Sequence, residues 1–450
     1  MSPNTYDIVI IGGGVCGTAL LYTLSNYTDV ESIALIEKNA AVALVNSHKN
    51  SNSQTLHFGD IETNYTLEKA RKVNRAAALV KNYLLKNDPQ QQIYTEYHKM
   101  VLAVGSEQAA KLKNRYEEFK QLFPTLKLID AAQIAQLEPK VLEGRDTNED
   151  IEALFTEEGY TIDFQKLSQS FLDRAVNTEK NIDTFFDRKV TQITKQNNFY
   201  LIKTLDKTIK AKAVAVEAGA HSLLLAKSLG YGKDYALLSV AGSFYFAPQL
   251  LKGKVYTVQL KKLPFAAIHG DPEVDDPGIT RFGPTAKVLP MLERHNYGTV
   301  LEYFQTAGLS LKAIATFLKI LSDLTILKYI ILNLIYDLPF IGKRLFIKQV
   351  KKIVPSITLK DLQFARGYGG VRPQIVNLNT RSLELGEAKI LGDKILFNIT
   401  PSPGASTCLQ NAQDDTERLI NFLEKYQFDK KRFVADLTSE SNELLSTQNI

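Results

Sequence analysis

Cysteine is scarce: Cys16 and Cys408 are the only two in 450 residues. Thiols this far apart build no disulfide framework, no C-x-x-C pair and no metal-binding spacing. The chain is therefore expected to work in a reducing compartment, with no metal site. Long apolar runs are missing too. No uncharged stretch reaches the about 18 residues that a membrane-crossing helix needs, so no span is expected. A strand-like run begins at Tyr6, and no secretory signal peptide is expected ahead of it. Charge of one sign is also lacking. A net charge of +5 is too mild to argue for nucleic acid as a partner. No internal repeat and no low-complexity block is visible. What remains is an ordinary globular composition, 44% hydrophobic and 23% charged. The length predicts two or three domains.

The strongest local signal lies at the start. Residues 6–11 (YDIVII) read as a buried parallel strand, apolar and β-branched. Gly12, Gly14 and Gly17 follow as G-x-G-x-x-G, then a helix through about Ser25, then a second strand over 32–36 that ends at Glu37. The first glycine permits a tight turn, the second lets backbone approach a pyrophosphate, and the third lets helix and strand pack closely. The helix start offers free N–H groups and a positive partial charge to the phosphates. Glu37 is placed to accept hydrogen bonds from an adenosine ribose. In this strand–loop–helix–strand context the motif predicts a dinucleotide site. No second loop of this kind exists, because the glycines of residues 367–372 (GYGGVR) have the wrong spacing. A single loop near the N-terminus fits FAD reduced directly by its own substrate. Cys16, inside the loop, reads as a small residue packed against the turn.

Further along, helices are expected over 67–86, 107–122, 164–176 and 407–425. Strands are expected over 100–104, 189–194, 199–204, 211–217, 244–247, 254–259, 266–269, 280–283 and 395–398. Residues 309–353 read as apolar helix studded with lysines, and the polar stretch after 431 as loose. The α/β pattern at the start, middle and end predicts a Rossmann-like FAD-binding domain that is discontinuous, built from residues 1–85, 151–228 and 365–433. An α+β substrate-binding domain of mixed or antiparallel sheet plus helices, residues 86–150 and 229–364, is inserted into it, and 434–450 form a tail.

Several segments carry a resemblance. AVAVEAGAHS, FNITPSPGASTCLQN and NSHKNSNSQTLHFGDIETNYT, with the glycine loop, look like the D-amino-acid-oxidase-like flavoprotein superfamily. Within it, SNSQTLH, IETNYT, SVAGSFYF, LPFAAIHGDP, RFGPTA, GGVRPQ and TPSPGASTCLQNA resemble bacterial malate:quinone oxidoreductases, in the branch of Campylobacter-like and Helicobacter-like bacteria. The resemblance covers Tyr6 to about Phe433, with variable stretches near Asn148 and Gly298. It implies oxidation of L-malate to oxaloacetate with electrons passed to a membrane quinone. Sister enzymes oxidise L-lactate or L-2-hydroxyglutarate on the same architecture. An oxygen-using oxidase and a flavin-containing binder without turnover are further alternatives.

The resemblance also implies roles. Val190 would sit on a strand whose backbone meets adenine. Ser53, Gln54 and Thr55 would lie on the flavin-side loop, and Ala218 and Gly219 would let the adenosine and pyrophosphate approach. Gly404, Ala405 and Ser406 open a helix whose positive end would face the flavin and stabilise its reduced, anionic form. A 2-hydroxy acid presents a carboxylate, which arginine binds with two hydrogen bonds. Arg372 matches the superfamily's substrate arginine, and Arg281 is a second candidate for the other carboxylate of a diacid. The hydroxyl proton needs a base, and histidine suits that role near neutral pH. His269, in a matching FAAIHGDP segment, is the expected base unless it is merely satisfied by Asp271. His57 would have a flavin-contact or secondary role.

Residues 309–353 hold Lys312, Lys319, Lys328, Lys343, Arg344, Lys348, Lys351 and Lys352 but only two acids, Asp323 and Asp337. Basic amphipathic helices suit an anionic membrane surface, where quinone is dissolved. The alternative is ordinary core of the substrate domain. The expected location is peripheral, on the cytoplasmic face of a bacterial inner membrane.

Overall fold

The computed structural model describes residues 5–259, 268–307, 310–384, 388–401 and 403–438. Its organising element is the first strand, Thr5–Ile11, which pairs in parallel with Ser32–Ile36 on one side and Thr208–Val216 on the other. Ile8, Val9 and Ile10 are fully buried, as a strand covered on both faces requires. Outward from this centre lie Ile395–Ile399 and Ala388–Gly392 on one flank and Asn181–Phe185 on the other. The hairpin Gln192–Gln196/Phe199–Lys203 extends the sheet antiparallel from Thr208–Val216. Helices Val15–Tyr27, Phe164–Val176 and Cys408–Leu423 pack in one core on one face. The sheet is thus assembled from separate stretches of the chain, near its start, middle and end.

A second, mostly antiparallel sheet runs in the order Gln363–Phe364, Tyr245–Pro248, Ile279–Gly283, His269–Pro272, Lys254–Thr257, Tyr94–Val104, Ile151–Ile162 and Lys127–Asp130. A third sheet of four strands is built around the antiparallel pair Tyr235–Ala241 and Val371–Asn377.

Some expectations need correction. The boundary at 151 falls too early, because Ile151–Ile162 pairs along its length with Tyr94–Val104 in the second sheet. The strand expected over 100–104 begins at Tyr94. His269 opens its strand instead of ending one, and residues 266 and 267 lie outside the described residues. Val190 precedes the strand Gln192–Gln196 and is not part of it. The tail expected over 434–450 begins as helix: Lys430–Leu437 buries Phe433 and Leu437 in the nucleotide core, and 439–450 lie outside the described residues. The lysine-studded segment breaks into helices Leu311–Leu321, Leu324–Tyr336 and Ile341–Val350. Asp323 caps the second, accepting from the backbone N–H of Thr325 at 2.8 Å. Phe340, at φ 63°, turns the chain into the third.

Candidate active site

A cavity of 620 Å³ opens at the carboxyl ends of Thr5–Ile11 and Ser32–Ile36, where open α/β sheets bind their ligands. Its floor is the glycine loop. Gly12 has φ +112°, and a Cβ there would stand 2.4 Å from the Glu217 carbonyl oxygen. A Cβ on Gly17 would stand 1.9 Å from the Gly12 carbonyl oxygen. Only glycine fits either position. Gly14 opens the helix Val15–Tyr27, where Ser47 Oγ accepts from the Val15 N–H at 3.0 Å, and the positive helix end lies at the cavity. Glu37 is held as an acceptor: Gly13 N–H donates to its Oε2 at 2.7 Å, and Asn39 donates to its Oε1 from backbone at 2.9 Å and side chain at 2.7 Å. Arg188 N–H donates to the Glu37 carbonyl at 2.9 Å, which clasps the loop carrying Val190 beside the same wall. Ala218 and Gly219 line the middle.

At the far end, Gly404, Ala405 and Ser406 line the cavity ahead of the helix Cys408–Leu423. His57 N–H donates to Ser406 Oγ at 3.0 Å. The space thus runs from an acid acceptor to a second helix start. Glycines that exclude a Cβ and two helix starts at the cavity fit the ribose, pyrophosphate and flavin of FAD.

A second cavity, of 840 Å³, shares Ser53, His57, Arg372, Pro401 and Pro403 with the first. Arg372, on Val371–Asn377, therefore stands where the two meet, and burial lowers its pKa. His269 lines the second cavity and is 5% exposed. Its Nδ1 lies 2.6 Å from Asp271 Oδ2, and its ring stacks on Tyr256 with centroids 4.7 Å apart. Burial pushes the imidazole pKa down, while the Asp271 charge opposes that shift. With a carboxylate at Nδ1, the proton stays on that nitrogen and Nε2 is left as the basic atom. Burial alone would raise the Asp271 carboxyl, but His269, Lys254 and Arg281 outweigh it and hold it well below the usual range. Lys254, fully buried, lies 3.7 Å from Asp271 and donates to Thr55 Oγ1 at 3.1 Å. Desolvation brings its pKa down to about 8.

Two expected site residues are elsewhere. Arg281 lines neither cavity. Facing Asp271 across the strand pair, it lies behind His269 and donates to the carbonyls of Asn52 at 3.3 Å and Ser53 at 2.8 Å. It cannot bind the second carboxylate of a substrate there. Gln54 also turns away from the cofactor cavity. Its Nε2 donates to Glu273 at 2.9 Å and its Oε1 accepts from Val274 N–H at 3.2 Å. Gln54 ties the loop to the second sheet, and Ser53 and Thr55 on either side line the cavity. His57 lines both cavities, with Glu62 Oε1 2.6 Å from its Nδ1.

Sequence reasoning missed Lys254, Tyr256 and Glu62 altogether. A lysine at the head of an apolar strand (KVYT) is the one signal that pointed to a buried charge. Among the described residues no group of three His, Cys, Asp or Glu side chains is arranged to hold a metal ion.

The profile of the family "Malate:quinone oxidoreductase (Mqo)" matches residues 4–432. A probable malate:quinone oxidoreductase of Campylobacter jejuni is 45% identical over 448 residues, covering 97% of this chain and 100% of the relative. The malate:quinone oxidoreductase of Helicobacter pylori is 44% identical over 447 residues, covering 97% and 99%. Among solved structures, L-alpha-glycerophosphate oxidase from Mycoplasma pneumoniae with FAD bound superposes with a TM-score of 0.65 at 19% identity, covering 95% of this chain and 97% of that one. That last likeness speaks for the fold.

Proposed function

We propose, for a chain that belongs to the malate:quinone oxidoreductase family, that the junction of its two cavities is where L-malate is oxidised to oxaloacetate with FAD as cofactor. The electrons go on to a membrane quinone. The observation that carries the site assignment is His269, its Nδ1 2.6 Å from Asp271, lining the same cavity as Arg372.

Bound FAD supplies two-electron redox chemistry. The rest is the work of this chain. Arg372 grips the substrate carboxylate with its planar fork. His269 Nε2 takes the hydroxyl proton, and Asp271 stabilises the imidazolium that results. Tyr256 and the buried walls keep the imidazole in one orientation. Glu37 holds the ribose and the Val15–Tyr27 helix start holds the pyrophosphate. The start of Cys408–Leu423 lends positive potential to the flavin end.

The acceptor side rests on a different surface. No single helix among the described residues is long and apolar enough to cross a membrane; Leu324–Tyr336 and Ile341–Val350 meet at a bend of 118°. Yet Leu311, Leu318, Leu324 and Phe340 are 86%, 63%, 67% and 88% exposed. Lys312, Lys319, Lys328, Arg344 and Lys348 are exposed on the same three helices. The two acids of the segment are turned inward to other work: Asp323 caps a helix, and Asp337 pairs with Lys287. Apolar tips ringed by cations suit the face of an anionic membrane. The other side of the segment is ordinary core, with Phe346, Ile347 and Val350 buried under the second sheet. We place the enzyme peripherally, on the cytoplasmic face of the inner membrane.

Replacing the base tests the assignment. His269→Ala retains FAD and loses malate-dependent reduction of a soluble quinone by roughly 100-fold or more. Wild-type turnover in that variant removes His269 from the role.

A further inference from the structure

The displacement of Arg281 leaves a question for a diacid substrate: Arg372 answers for one carboxylate, and the other needs a cation. We infer that Lys69 binds the second carboxylate of the substrate and selects a four-carbon diacid over a monoacid, an inference that rests on the reading of the site as a 2-hydroxy-acid oxidase.

The second cavity is lined by five Lys and Arg side chains: Arg372, Lys69, Lys72, Arg75 and Lys430. Lys72 is paired with Glu68 at 2.7 Å and Lys430 with Glu417 at 2.7 Å. Arg75 is exposed to solvent. Lys69 is different. It is half-buried, and among the described residues no carboxylate lies within ion-pair distance of its ammonium. Its Nζ rests 4.2 Å from the centroid of the Tyr65 ring, which holds it by a cation–π contact while leaving its N–H donors to the cavity. Glu62, whose charge reaches it, is taken up by His57 at 2.6 Å. The backbone is fixed as well, since Thr66 caps the helix Leu67–Asn87 and its Oγ1 accepts from the N–H of Lys69 at 3.2 Å. Partial desolvation pushes the lysine pKa down, as a cation short of a counter-charge does. A diacid supplies that counter-charge. A monoacid such as lactate leaves the ammonium desolvated and unpaired, and a site rejects a ligand that does so.

The test uses the FAD-loaded enzyme and two readouts. The first is the KM for malate beside that for lactate. The second is calorimetric binding of succinate, which cannot be oxidised at a hydroxyl, beside butyrate. Lys69→Met is expected to raise the malate KM and weaken succinate binding about 10- to 100-fold, as loss of a charge-assisted hydrogen bond does. The lactate KM falls and butyrate binding tightens, because the unpaired ammonium that penalises a monoacid is gone, and Lys69→Arg restores the diacid preference. Lys69→Gln, milder for folding, shows the same split. Equal changes for diacid and monoacid, or none in either variant, overturn the assignment of Lys69 while leaving malate oxidation intact. A wild-type enzyme that does not oxidise malate overturns the underlying reading and this inference with it.

Discussion

Asp271 has no exposed surface, and three titratable partners surround it: His269, Lys254 and Arg281. Such a carboxylate is stable only because the charges close around it. Asp271→Asn keeps the volume but removes the group that fixes the Nδ1 tautomer, so malate turnover falls about 100-fold while FAD stays bound. Absorbance spectra and steady-state rates decide it. The acid limb of the malate kcat/KM profile reports His269. Burial depresses its pKa below the ordinary 6.5. The base is therefore neutral and competent above that depressed pKa, and activity is lost as pH falls through it. A limb centred above 6.5 contradicts the burial argument. Arg281 shows where side-chain chemistry misleads when read alone. An arginine beside Phe-Gly-Pro is chemically suited to a carboxylate. Its register opposite Asp271 sends it behind the cavity to the Asn52 and Ser53 carbonyls. Register across strands is a non-local fact, and no local pattern encodes it.

At the scale of elements, the glycine loop was legible because each glycine answers a local steric demand. Gly17→Ala is expected to lose bound FAD, since the new Cβ meets the Gly12 carbonyl at 1.9 Å; the flavin absorbance of the purified variant is the check. The helix Lys430–Leu437 was not legible. Its sequence KKRFVADL spans little more than two turns and fully buries only Phe433 and Leu437, one turn apart, too short a pattern to read as amphipathic. The helices Leu311–Leu321, Leu324–Tyr336 and Ile341–Val350 were legible as basic and apolar, but which leucines face outward was set by packing. Phe340, held outward at the bend, is the most exposed of the large apolar residues there. Phe340→Asp is expected to weaken flotation with anionic vesicles by several-fold, because a charge replaces apolar surface at the lipid boundary. Unchanged flotation moves the docking surface elsewhere.

The whole molecule is organised around one elongated space. Segments from Ile11 to Ser406 line the cofactor cavity, so the chain must be nearly complete before FAD is enclosed. The substrate cavity borrows walls from both the second and third sheets, through His269 and Arg372. That arrangement explains why the α/β pattern returned three times along the chain. It also explains why the 151 boundary slipped: the strand Ile151–Ile162 returns to the second sheet before the chain re-enters the first. The measurement that bears most directly on the account is anaerobic titration of the bound flavin with L-malate, L-lactate and L-2-hydroxyglutarate in parallel. Malate is predicted to bleach the flavin fastest and completely, with the colour restored by added quinone. Bleaching by one of the other acids while malate leaves the flavin oxidised would contradict it.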